Sequence, residues 1–296
     1  MKLKMIATIV STLVVANAYA AETYNIEAGV LNQTTKVDDQ TEQKVMGVGG
    51  IYYLKPVTID ATKPFDELAF LQRASAITAS YADVSLETSS LSKKSFGSTK
   101  IGGNFYIDNF TVGVSTSQWN KRFPSKSNAA NSIGIDTKET AFKAGYLVTP
   151  NTEVSYVNEK VEADYTLGGG AGAVNSLSVK TNGVQSHTVM PLGASQWLVL
   201  DLSYKEIKTK QDNDDKNKLY SATVKYYPQA NVYVEGGYAN NTGTYEYDKG
   251  NTTTVGAGYA VTPRLALALQ HLKFSGDVSA QNSSSKATTI KALYRF

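Results

Sequence analysis

Apolar and polar positions alternate along most of the chain, in runs of about ten residues separated by polar connections. In 140–148, Phe142, Ala144, Tyr146 and Val148 share one face, with Lys143 and Gly145 on the other. Leu198, Leu200, Leu202 and Tyr204 oppose Asp201, Ser203 and Lys205, and Tyr220, Ala222, Val224 and Tyr226 oppose Ser221, Thr223 and Lys225. At the C-terminus Thr288, Ile290, Ala292, Tyr294 and Phe296 oppose Lys291 and Arg295. The pattern predicts fourteen strands, near 24–32, 44–54, 75–87, 100–107, 110–119, 137–148, 152–162, 176–192, 197–207, 218–227, 232–239, 252–261, 265–274 and 287–296. Twelve and sixteen are the alternatives. The eighth has a confused register between Thr181 and His187, which suggests a bulge or a longer loop.

The connections alternate in length. Asp108-Asn109, Thr149-Pro150-Asn151, 193–196, 228–231 and Thr262-Pro263-Arg264 are short and rich in turn residues. Those at 33–43, 88–99, 120–136, 163–175, 208–217, 240–251 and 275–286 are longer and polar. Short turns at one end and long loops at the other predict an all-β fold: a transmembrane antiparallel up-and-down β-barrel with both termini on the short-turn, periplasmic side. One connection departs from this rule. Lys55–Ala74 stands where a short turn belongs, and Pro64 followed by Phe65-Asp66-Glu67-Leu68-Ala69-Phe70-Leu71 reads as a short helix. It is expected at the periplasmic rim or tucked into the lumen.

A soluble sandwich also alternates, so the charges matter. Glu27, Lys143, Glu153, Asp201, Lys205, Lys225, Glu235 and Lys291 each sit mid-strand, opposite in parity to the apolar row. On the lipid face, a Lys or Arg at the midplane would cost ~2–4 kcal/mol. In a closed barrel, these eight instead become candidate pore-lining residues. Aromatics from Tyr24 to Phe296, including Tyr52, Tyr53, Phe105, Tyr106, Phe110, Tyr146, Trp197, Tyr226, Tyr227, Tyr233, Tyr259 and Tyr294, gather near the short turns, as an interfacial girdle would. Fourteen strands ~4.8 Å apart and tilted ~40° give a backbone radius of roughly 14 Å, wide enough for an aqueous channel. The third long connection, Asn120–Asp136, carries Lys121, Arg122 and Lys126, and is the candidate constriction loop if it folds inward. It would then confer weak anion preference.

Composition narrows the remaining classes. Lys2 and Lys4, the apolar run Met5–Val15 and Ala18-Tyr19-Ala20 form a cleavable signal peptide, so residues 1–20 are expected to leave and 21–296 to be the barrel domain. Lys+Arg then falls from 29 to 27 against 26 Asp+Glu, which is no nucleic-acid footprint. There is no cysteine, so disulfides and thiolate chemistry are excluded. Only His187 and His271 could serve a hydrolase, and Asp277 lies near the second in sequence; an exposed rim histidine is the simpler reading. Asp212, Asp214 and Asp215 lack the Gly and distal Glu of a calcium loop, and Gly168-Gly169-Gly170-Ala171-Gly172 lacks a following Lys-Ser/Thr. No catalytic residue, metal or cofactor is expected.

Tyr52-Tyr53-Leu54-Lys55-Pro56-Val57, followed by Pro64 and Ala69-Phe70-Leu71-Gln72-Arg73-Ala74-Ser75, resembles the general bacterial porin family of marine and related proteobacteria. Tyr294-Arg295-Phe296 is similar to the C-terminal signature of outer-membrane proteins that end in Phe, and implies recognition by the barrel-assembly machinery. The resemblance implies a Gram-negative outer-membrane porin, in contact with lipid and lipopolysaccharide, that lets ions and small hydrophilic solutes diffuse passively. General porins commonly assemble as homotrimers, though no segment here marks an interface. The alternative is a non-conducting barrel that acts as an adhesin or as a ligand or surface receptor through its long loops.

Overall fold

The computed structural model describes residues 23–37, 41–88, 91–123, 133–167, 174–210, 214–242, 249–278 and 281–296. Fourteen strands follow one another: β1 Thr23–Val37, β2 Thr41–Thr58, β3 Ala76–Thr88, β4 Leu91–Ile107, β5 Phe110–Phe123, β6 Ile133–Thr149 and β7 Thr152–Leu167, then β8 Val174–Pro191, β9 Trp197–Lys210, β10 Asp214–Gln229, β11 Val232–Thr242, β12 Gly250–Ala260, β13 Leu265–Val278 and β14 Gln281–Arg295. Each pairs antiparallel with its chain neighbours, and β1 pairs with β14, so the sheet closes. Phe296 completes the seam: its N–H donates to the Ile26 carbonyl (2.8 Å) and its own carbonyl accepts from the Asn25 N–H (3.0 Å). Closure leaves no sheet edge to be hydrogen-bonded by lipid, which cannot do it.

Every strand expected from the alternation is present, and most run further at the long-loop end. Thr88 pairs with Leu91, Lys210 with Asp214 and Val278 with Gln281, so much of what reads as loop is hairpin continuing beyond the apolar band. This changes the account of Asn120–Asp136. Asn120, Lys121, Arg122 and Phe123 are β5 residues paired with Asp136, Ile135, Gly134 and Ile133 of β6, so their backbone is wall rather than an inward-folded loop. Lys126 lies outside the described residues, as do the signal-peptide segment, Asp212 and the glycine run 168–172; Asp214 and Asp215 lie in β10.

The doubtful eighth strand is regular. β8 keeps one uninterrupted register against β7 and against β9. Its sequence misleads because polar Asn182, Ser186 and Thr188 share the outward face with Val184 and Met190. Asn182 is satisfied there by the Tyr156 hydroxyl (2.8 Å) and the Asn158 amide (2.6 Å).

Parity divides inside from outside. Phe142, Val154, Val224 and Val234 are exposed on the outer face, while Glu153 is buried inward and Lys143 reaches it as an ion pair. A one-residue slip would invert every side chain, so accessibility tests the register directly. With the protein refolded into lipid vesicles, Lys143→Cys should react with a membrane-impermeant thiol reagent several-fold faster than Phe142→Cys; the opposite order would contradict the register.

Candidate functional site

The segment between β2 and β3 turns into the barrel and plugs its periplasmic end. A 3-10 turn, Phe65–Glu67, runs into one turn of α-helix, α1 Leu68–Leu71. Its apolar side chains cannot face bulk water cheaply, and the inner wall offers them two patches. Phe65 and Leu68 join Tyr24, Tyr53, Val57 and Ala230 in one cluster. Phe70 and Leu71 lie on Val189, Val199 and Tyr227. Several expected girdle aromatics therefore do a different job. Tyr24, Tyr53, Tyr227, Tyr233 and Trp197 point inward onto the plug, and Tyr106 shares the inward parity of Thr111, whereas Tyr52, Phe110, Tyr146 and Tyr259 remain on the outer face.

Polar bonds fix the plug's position. The Phe65 N–H donates to the Ala230 carbonyl (3.1 Å), and the Trp197 indole donates to the Thr62 carbonyl (2.8 Å). At the plug's base the Gln72 amide donates to the Thr58 carbonyl (2.6 Å), while its oxygen accepts from the Thr58 N–H (2.8 Å). Arg73, in the left-handed region at φ 52°, ends the helix and reaches Asn109 in the β4–β5 turn (3.1 Å). Asp60 opens the segment: the Thr62 hydroxyl and N–H and the Lys63 ammonium hold its carboxyl down to about 2. That turn keeps its charge above the ordinary carboxylate range and loses it only as the pH falls towards 2.

Two buried charged centres join plug to wall. Arg295 of β14, almost fully buried, donates to Glu27 of β1 (3.0 Å), Asp66 (3.1 Å) and the carbonyls of Phe65 (3.3 Å) and Pro263 (3.1 Å). Glu67, also buried, meets His187 Nε2 at 3.1 Å and Lys225 at 3.9 Å. His187 Nδ1 lies 2.6 Å from Asp201. Both ring nitrogens of His187 are thus held by carboxylates, so neither is turned to a hydroxyl as in a nucleophilic dyad. His271 bonds Thr288 (3.1 Å) on the outer face.

The eight sequence-predicted site residues all have inward parity, but only Lys143 and Glu153 pair with each other. Glu27 is taken by Arg295, Asp201 by His187, Lys205 by Glu159 (3.0 Å), and Glu235 by Gln270 (2.8 Å). Lys225 approaches Glu67, and Lys291 makes no ion pair among the described residues. Sequence reasoning missed Glu159, Arg295, Asp66 and Glu67. The first two were open to the same parity rule, since Glu159 shares its face with Glu153 and Arg295 with Lys291. Asp66 and Glu67 depend on where the plug lands, which no periodicity reveals.

Above the plug lies a cavity of about 570 Å³. Its wall is made of small inward residues of β1–β3 and β12–β14, among them Gly29, Gly47, Gly49, Ala266 and Ala268. The ring of Tyr233 rests against Gly258, where any Cβ would collide with it. The opposite wall, β6–β10, carries most of the charged pairs. The lumen thus holds most of its charges in pairs and is narrowed from the periplasmic side.

Among solved structures, the Acinetobacter baumannii outer membrane protein Omp33 superposes with a TM-score of 0.58 at 17% identity, over 94% of this chain and 100% of that one. A deletion mutant of the monoaromatic hydrocarbon channel TodX gives 0.53 at 12% identity, over 94% and 91%. At these identities the likeness is one of fold. No curated protein matches the sequence. The family described as "Putative general bacterial porin" matches residues 1–296, and the chain belongs to that family.

Proposed function

We propose that this porin of the outer membrane is a passive diffusion channel for ions and small hydrophilic solutes whose narrowest point is periplasmic, made by the plug between β2 and β3. The observation that carries this reading is the plug's attachment to separated parts of the wall: β14 through Arg295, β8 and β10 through Glu67, β9 through Trp197, and the β10–β11 turn through Ala230. A segment bonded at so many places is a fixed part of the passage. Diffusion past it needs no catalytic group, since inward charges need only be solvated. Export by removal of residues 1–20, and delivery to the assembly machinery through the terminal Phe296, complete the proposal. The inward-facing polar residues then line the route: Glu153, with Lys143 paired to it, stands opposite His187 at the level of the plug, and Lys205 and Lys291 lie elsewhere on the inner wall.

The receptor reading draws on the same plug, since a complete seal would leave loops and a ligand-sized cavity but no passage. Planar-bilayer recording of the refolded protein separates the two. The wild type should show discrete steps, and replacing residues 60–72 by a short turn should raise the unit conductance several-fold. No steps from either protein would favour the receptor, and equal steps would place the constriction elsewhere.

Arg295 carries the link between barrel seam and plug. Arg295→Met leaves Glu27 and Asp66 without their counter-charge, and should lower stability to urea in lipid vesicles by about 3 kcal/mol. Because Glu27 and Arg295 are in contact, Glu27→Gln in the same chain should recover part of that loss. Simply additive losses would show that the pair is not coupled.

A further inference from the structure

Strand register sets the lining of the cavity above the plug into slanting rows. Gly258 of β12 stands opposite Ala268 of β13, Ala268 opposite Lys291 of β14, and Lys291 opposite Leu31 of β1. Leu31 is in turn opposite Gly47 of β2, and Gly47 opposite Ala82 of β3. Residues directly opposite in a sheet share a face, so all of them look into the lumen. Nearer the periplasm the next inward row repeats the pattern with Ala266, Leu293, Gly29 and Gly49. Both rows line the cavity, and Lys291 carries the only charge among these residues.

The cavity's charges are unevenly compensated. At its floor Arg295 meets both Glu27 (3.0 Å) and Asp66 (3.1 Å), so one cation faces two carboxylates there. Two further lysines in the lining have acids beside them: Lys225 lies 3.9 Å from Glu67, and Lys100 lies 3.7 Å from Glu139. Lys291 is exposed and has no carboxylate partner among the described residues. It comes four residues before Arg295 on β14. At ~3.3 Å per residue and a tilt of ~40°, that sets it about 10 Å above the floor. An ammonium is a donor only, and the glycine, alanine and leucine side chains around it offer no acceptor.

We propose that this cavity is a binding site for organic monocarboxylates, in which Lys291 holds the carboxylate and the small-residue wall takes the apolar body. Its volume of about 570 Å³ suits a small molecule, and such pockets combine mostly apolar walls with a few placed polar groups. The carboxylate accepts charge-assisted hydrogen bonds from the Lys291 ammonium. The other strong donor, the Arg295 guanidinium, is already taken by Glu27 and Asp66, and their excess negative charge turns an anion away from the floor. One ammonium suits one negative charge; a dianion would have to draw Lys100 from Glu139 or Lys225 from Glu67. Beside Lys291 the glycines and alanines leave room for a ring or a short alkyl chain, which larger side chains would fill. The proposal rests on the channel reading and deepens it by naming a class of solute held in the passage.

The test is equilibrium dialysis of radiolabelled benzoate against the refolded full-length barrel in detergent at neutral pH. Lys291→Gln removes the charge-assisted hydrogen bond and should weaken binding about tenfold, whereas Lys291→Arg should keep it. Lys180→Gln, which shares the outward parity of Val184, should leave binding unchanged. Ala268→Phe keeps the charge but fills the wall beside it, and should weaken benzoate several-fold. Acetate has the charge with little apolar body, benzyl alcohol the ring with no charge, and each should compete about tenfold less well than benzoate. Equal benzoate binding by wild type and Lys291→Gln would overturn the assignment. So would acetate competing as well as benzoate, or undiminished binding by Ala268→Phe. Heat-modifiability on gels reports folding of the variants. Bilayer conductance of the same preparations in chloride alone reads the channel separately. Conductance steps without benzoate binding would overturn this site and leave the channel, whereas binding without steps would overturn the channel and leave the site.

Discussion

Closure of β1 on β14 is the constraint on which everything else depends. Backbone amides in lipid have no water to bond, so an open edge would leave a row of donors and acceptors unsatisfied at several kcal/mol each. Once the ring is closed, alternate side chains must face lipid or lumen, and the period-two pattern follows. The seam is reinforced where it is weakest, at the chain ends. Phe296 bonds both ways to β1, and Arg295 beside it ties Glu27 to the plug.

Closure of fourteen strands creates a second problem, a lumen too wide for wall side chains to fill. The barrel answers it unevenly. On the β6–β10 side, acids and bases neutralise one another. On the β12–β14 and β1–β3 side, glycines and alanines leave open space. At the periplasmic end a small apolar core forms between plug and wall, in a place where most of the wall is polar. Val189, Val199 and Tyr227 make sense there only because Phe70 and Leu71 cover them. The plug's acids, Asp66 and Glu67, in turn make sense only beside Arg295, His187 and Lys225.

The barrel was legible because period-two alternation is local: each strand declares its own inside and outside. All fourteen strands and the parity of Lys143, Glu153 and the other mid-strand charges follow from it. Long-range contacts were not legible. Tyr53 and Tyr227 have inward parity in sequence, but only the plug's landing place makes them its cover, and Tyr24 is turned inward by the register shift between Tyr24 and Ile26. Lys121 and Arg122 read as loop because the strand pattern becomes polar once the hairpin leaves lipid, although pairing continues. β8 read as irregular because Asn182, Ser186 and Thr188 put polar groups on its outer face.

The central claim is that the plug is a fixed constriction and does not swing aside to open the channel. Phe65 and Ala230 are joined by a backbone hydrogen bond and share one apolar cluster, which makes them the pair to cross-link. Phe65→Cys with Ala230→Cys in the cysteine-free chain provides a reversible tether, and single-channel conductance is then recorded oxidised and after reduction. A fixed plug predicts the same unit conductance in both states. A marked rise on reduction would contradict the account and show that the plug must leave its seat for solutes to pass.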